Sequence, residues 1–178
     1  AAGELKERLE RMLGEAANDV WASTFHSACV RILRRDIDRL GFPSQFTIYD
    51  TADSERVIKD ILKEQNLDDK KKGLSPRSVL GRISEAKDAG KLADEFAAEY
   101  RKSGDLYMQK IANVYTEYQR RLWDSGALDF DDIILHTVRL LQEHEDVRSY
   151  YQSKFRYVLV DEYQDTNHLQ YLLTALLA

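Results

Sequence analysis

The run Tyr157-Val158-Leu159-Val160, followed directly by Asp161-Glu162-Tyr163-Gln164-Asp165-Thr166, decides how this chain is read. Its first four residues are apolar and partly β-branched, without in-and-out alternation. That pattern predicts a central parallel strand buried on both faces. Two carboxylates follow where the strand runs out. The carboxyl end of a parallel strand is where open α/β sheets bind ligands, and successive strand side chains point in different directions. One acid is then placed to hold a hydrated Mg²⁺ while its neighbour faces a water beside a nucleotide phosphate. The competing local reading is helix capping: Asp165, Thr166 or Asn167 caps a helix through Leu169, Leu172, Leu173 and Leu176.

Paired acids after such a strand form the Walker B arrangement of phosphate-loop NTPases. The hexapeptide with Asn167 behind it resembles motif II of the superfamily 1 DNA helicases of the UvrD/PcrA/Rep kind. The resemblance implies that Asp161 helps hold Mg²⁺ and that Glu162 orients or deprotonates the attacking water. It also implies that Gln164 and Asp165 couple nucleotide state to neighbouring motifs. A second stretch, Asp19-Val20-Trp21-Ala22-Ser23-Thr24-Phe25-His26-Ser27, reads as a strand, a polar turn and a helix start. It resembles the family's motif Ib, which implies contacts from Thr24, His26 and Ser27 to the backbone of single-stranded DNA. Hydroxyls and the unpaired N–H groups of a helix N-terminus suit an anion, although Ser or Thr before a helix is also an ordinary N-cap. A third stretch, Leu128-Asp129-Phe130-Asp131-Asp132-Ile133-Ile134, resembles the segment ahead of the Walker B strand. Here Asp129 is read as the cap of a helix through Ile133, Ile134, Val138 and Leu141, and a two-metal site is rejected.

None of the eight glycines sits in a Gly-x-x-x-x-Gly-Lys-Ser/Thr loop. Gly90-Lys91 is followed by Leu92, which lacks the metal-binding hydroxyl. With no initiator Met and no phosphate loop, the sequence reads as an internal piece of a first motor domain, starting after motif Ia and running through motif II. Taken alone, such a piece is expected to be inactive and to hold no cofactor tightly. ATP and Mg²⁺ belong to the intact enzyme.

Composition agrees with a folded chain. Of 178 residues, 43% are hydrophobic and 32% charged, which excludes membrane and disordered classes. No apolar run approaches the roughly 20 residues of a membrane span. Cys29 has no partner for an internal disulfide and is read as a small apolar residue. The histidines at 26, 136, 144 and 168 are scattered, against a zinc site. A reducing cytoplasm is the natural setting. The net charge of −5 argues against a protein that coats DNA generally. Charge is uneven, however: residues 51–123 hold 15 basic and 13 acidic side chains, whereas residues 126–178 hold 4 and 9. The Lys70-Lys71-Lys72 run is read as a solvated loop in preference to a duplex contact.

Periodicity organises the rest. Residues 1–13 are helical and residues 20–24 a strand. The helix over residues 28–40 carries Arg31, Arg35 and Arg39 in one row with Arg34 alongside, opposite Val30, Leu33 and Ile37. That row is read as a solvated face partnered by Asp36 and Asp38, ahead of a phosphate track. Residues 46–49 are extended, and Asp50 or Thr51 opens the next helix. From there to about Trp123 only helices are predicted, among them one started by Pro76. Tyr115 and Tyr118, with their aliphatic neighbours, are read as core in preference to base-stacking platforms.

The expected fold is therefore α/β and predominantly helical: a partial parallel-sheet phosphate-loop NTPase (RecA-like) motor domain interrupted by an all-helical insertion. Expected units are residues 1–48, the insertion at 49–125, and residues 126–178 with the Walker B strand. The pieces on either side of the insertion are expected to pair their strands side by side in one parallel sheet, with the strands at Val20 and Val158 outside the insertion. The resemblance implies an ATP-dependent 3′-to-5′ DNA helicase and translocase acting in repair, recombination or replication restart. Its implied partners are single-stranded DNA and single/double-strand junctions. The alternatives are the helicase subunit of a recombination helicase-nuclease, and a non-catalytic DNA-binding or partner-docking module on a helicase-like fold.

Overall fold

A computed structural model of the chain describes residues 2–67, 74–160 and 167–178. Among them the helices are α1 (Ala2–Leu13), α2 (Phe25–Asp36), α3 (Thr51–Glu64), α4 (Pro76–Asp88), α5 (Ala93–Tyr100), α6 (Leu106–Asp124), α7 (Phe130–Glu143), α8 (Glu145–Lys154) and α9 (His168–Leu177). Two strands, β1 (Thr47–Tyr49) and β2 (Ala127–Asp129), pair in parallel with Thr47 opposite Ala127 and Tyr49 opposite Asp129. The predominantly helical α/β class holds.

Helix starts follow local chemistry. Asp50 accepts from the Asp53 N–H at 2.8 Å while the Asp53 side chain accepts from the Asp50 N–H, a closed capping box. Ser75 caps α4 with Pro76 in the first turn. Asp105 caps α6. Asn167 caps α9 through Gln170, so of the three candidates at that start the asparagine is the cap.

The short sheet partitions two cores. Side chains of adjacent strand residues point to opposite faces, and both strands use this. Ile48 and Leu128 pack with Cys29, Leu33, Phe46, Ile134, Leu141, Tyr151 and Leu173. Tyr49 and Ala127 pack on the other side with Ile58, Ile61, Ile83, Tyr115, Tyr118 and Leu122. Residues 50–126 thus leave the sheet at the end of β1 and return to it at the start of β2. Gly126, at φ 61°, makes the turn out of α6, and its carbonyl accepts from the Thr47 N–H at 2.9 Å. Such a left-handed position suits glycine.

Two expected strands are not formed. Residues 20–24 and 157–160 carry no strand among the described residues, and Tyr157 and Leu159 are 88% and 96% exposed. A strand is specified by a neighbour that pairs its backbone groups, and among the described residues only β1 and β2 pair in this way. The pieces flanking the helical segment do pair strands in parallel, as expected, but through β1 and β2 and not through residues 20–24 and 157–160. Helix α8 has no counterpart in the periodicity reading. It packs against α7 and α9, while Arg35 of α2 stacks over the Tyr150 ring at 3.8 Å and Arg39, just beyond α2, bonds Asp146 at 2.6 Å.

Candidate nucleic-acid interface

The turn entering α2 is built by Thr24. Its Oγ1 accepts from the Ser27 N–H at 3.2 Å and donates to the Ser27 hydroxyl at 2.9 Å. The first intrahelical bond runs from the Ala28 N–H to the Thr24 carbonyl. The N–H groups of Phe25 and His26 therefore precede any intrahelical acceptor. Thr24 and Ser27 are exposed and His26 is half-buried. The three residues expected to touch DNA form one exposed helix start.

His26 reaches across the molecule. Its Nε2 lies 3.1 Å from the Phe130 carbonyl, and the two rings meet edge-on at 5.9 Å. Phe130 is the first residue of α7, whose cap is Asp129: the Asp129 carboxylate accepts from the Asp132 N–H at 2.8 Å. Asp129 thus holds the capping role assigned to it.

Behind that cap lies a group that pattern reading missed. Lys87, at the end of α4, is fully buried, with Nζ 2.7 Å from Asp129 and 2.8 Å from Asp132. The Tyr118 hydroxyl donates to Asp129 at 2.8 Å, and the Lys87 ammonium lies 5.1 Å over the Tyr118 ring. Burial disfavours the charged lysine, but the two carboxylates outweigh it and hold its pKa above the ordinary value. For Asp129, burial is overcome by the Lys87 charge and its hydrogen bonds, and its pKa is lowered. Asp132 is raised, first by burial and then by the Asp129 charge. One ammonium is shared by two carboxylates, and removing one member of such a buried set typically costs about 3–5 kcal/mol. The available signal was Lys87 falling on the apolar stripe of Val79 and Ile83 at four-residue spacing.

Next to this set, Asp131 accepts from the Ser84 hydroxyl at 2.7 Å. Burial pushes Asp131 up to about 6, with Ser84 opposing. The carboxylates at 129, 131 and 132 are thus engaged by α4 and by the cap. Among the described residues no group of His, Cys, Asp and Glu is arranged to hold a metal ion.

Other basic and aromatic candidates serve packing. Arg31 stacks on Trp21 at 3.7 Å, and Arg34 donates to the Ser44 and Phe46 carbonyls. Tyr115 and Tyr118 are fully buried, as core residues must be. Cys29 is buried in the first core, and burial pushes its thiol up to about 12. No helix among the described residues is long and apolar enough to cross a membrane. Asp161, Glu162, Gln164 and Asp165 lie outside the described residues, as does the Lys70-Lys71-Lys72 run.

The UvrD/REP helicase N-terminal domain matches residues 1–178, and the chain belongs to that family. It is 52% identical over all 178 residues to the ATP-dependent DNA helicase PcrA of Bacillus subtilis (strain 168). It is 49% identical to the protein of that name from Staphylococcus aureus (strain Mu50 / ATCC 700699) and 48% to that from Staphylococcus epidermidis. Each alignment covers the whole of this chain, but only 23% of the Bacillus subtilis relative and 24% of the other two.

Proposed function

We propose that this chain is part of the first motor domain of an ATP-dependent 3′-to-5′ DNA helicase and translocase, acting at single-stranded DNA and single/double-strand junctions. The observation that carries the reading is 48–52% identity, along the entire chain, to proteins named ATP-dependent DNA helicase. In this reading the motor comprises residues 1–48 and 126–178, and residues 49–125 form a helical insertion that meets duplex ahead of the fork. The separate apolar cluster within residues 58–127 supports that division.

Each site residue has an assigned task. Glu162 accepts a proton from the attacking water or orients it, and Gln164 and Asp165 relay nucleotide state to neighbouring motifs. Asp161 supplies a carboxylate oxygen, the donor type that suits Mg²⁺. When bound, that ion neutralises charge developing on the phosphates. Thr24, His26 and Ser27 hold the tracking strand by its phosphates. Their clustering at an exposed helix start is the arrangement an anion needs.

The test is Glu162→Gln in the intact helicase. Hydrolysis of ATP is expected to fall by roughly two or more orders of magnitude, as for loss of a general base, with ATP and DNA binding retained. Near-normal turnover would reduce Glu162 to a structural residue.

A further inference from the structure

We infer that Lys87 is a positioning residue for the DNA-contacting turn, tying helix α4 to His26 through the cap of α7. The inference rests on the proposed DNA role of Thr24, His26 and Ser27.

The path is short, and each step is a defined contact. One face of α4 presents Ser84, Lys87 and Asp88, at three- and four-residue spacing, to the β2–α7 junction and the start of α2. Ser84 donates to Asp131 at 2.7 Å. Lys87 binds Asp129 and Asp132, which are the two halves of the α7 capping box. Phe130, the first of the two residues between them, offers its carbonyl to His26 Nε2 at 3.1 Å. Burial raises the half-buried Asp88 carboxyl above its ordinary value, with His26 opposing.

Burial gives the path its stiffness. An exposed ion pair tolerates displacement, because water replaces whatever contact is lost. Lys87 has no exposure at all, so moving α4 by an ångström leaves charged groups without partners in a low dielectric. Shifts of the helical segment are therefore passed to the carbonyl that orients His26, or the carbonyl resists them. The segment that changes direction at Tyr49 and Gly126 is in this way joined to the turn entering α2 by a second, polar route.

The experiment uses the intact helicase carrying Lys87→Met. It is repeated with Lys87→Met/Asp132→Asn, which removes one buried carboxylate with the ammonium and guards against failure to fold. Hydrogen–deuterium exchange is followed in peptides covering residues 22–30, with α9 as internal reference. DNA-stimulated ATPase is titrated with single-stranded DNA in parallel. Exchange in the α2 turn should rise about tenfold while α9 is unchanged. The DNA concentration for half-maximal stimulation should rise about fivefold with kcat at saturating DNA retained. In a His26→Ala background the Lys87 change should add nothing further to that rise. A folded variant with unaltered exchange in the α2 turn overturns the inference, as does a Lys87 effect of equal size with and without His26. If His26→Ala alone leaves the DNA requirement unchanged, the DNA reading of the turn fails. The exchange result then decides the positioning role on its own.

Discussion

His26 Nε2 lies 3.1 Å from the backbone oxygen of Phe130, joining the starts of two helices that are 104 residues apart in the chain. The contact places the candidate DNA turn on the same junction that Lys87 closes from α4. Stability and DNA contact therefore meet in one small region, and substitutions can separate them.

Thr24 has two tasks, capping α2 and touching DNA, and Thr24→Asp distinguishes them. Aspartate is as good an N-cap as threonine or better, so the melting temperature should hold or rise. A carboxylate facing phosphates should weaken single-stranded DNA binding by roughly tenfold at low salt, less as salt screens it. Unchanged DNA affinity, measured by fluorescence anisotropy, would leave Thr24 as a cap alone.

Asp131 sets a pH dependence of stability. Its pKa in the fold is about 6 against an ordinary 3.8, so the unfolded chain gives up this proton first. Stability associated with the neutral acid is present below pH 3.8 and is lost as pH rises through about 6. Asp131→Asn keeps an acceptor for Ser84 and removes the charge. Its melting temperature should exceed that of the unaltered protein at pH 7.5 and converge with it near pH 4. A constant difference across that range would mean that Asp131 is not held neutral by the fold.

Deleting residues 51–123 from the intact helicase, with a short flexible linker, tests the helical segment as an insertion. The deletion strips Lys87 from Asp129 and Asp132. It also strips away Tyr118 and Gln119, which bond Asp129 and Asp132, so both carboxylates become solvated and the deleted protein should still unfold cooperatively in urea. Fork affinity should drop more than single-strand affinity, with a shallower salt dependence as phosphate contacts are lost. Equal losses in a folded protein would mean that the segment does not read duplex.

The 178-residue chain by itself should show no ATP hydrolysis above background, with or without single-stranded DNA. Its glycines form no phosphate loop of the kind that cradles the β- and γ-phosphates. Turnover that survives repurification would contradict this.

Sequence by itself determined what acts over three or four residues. The cap at Asp129, the helix begun at Pro76 and the burial of Tyr115 and Tyr118 were readable, and the caps that proved to be Asp50 and Asn167 were narrowed to two and three neighbouring candidates. Cap bonds and helical stripes close within a turn or two of chain, so their partners stand in the same window of letters. The family was readable too, because residues 19–27 and 161–167 carry it as words. Tertiary structure alone decided what depends on distant partners. The apolar run 157–160 reads as a better strand than Ala127-Leu128-Asp129, yet the latter pairs with β1, since a strand exists only where a neighbour meets its backbone groups. Lys87 falls on an apolar stripe, but its partners Asp129 and Asp132 lie more than forty residues on and meet it only in the folded chain. Burial is a property of the assembled core, and it turns an ordinary ammonium into the group that ties α4 to the turn bearing His26.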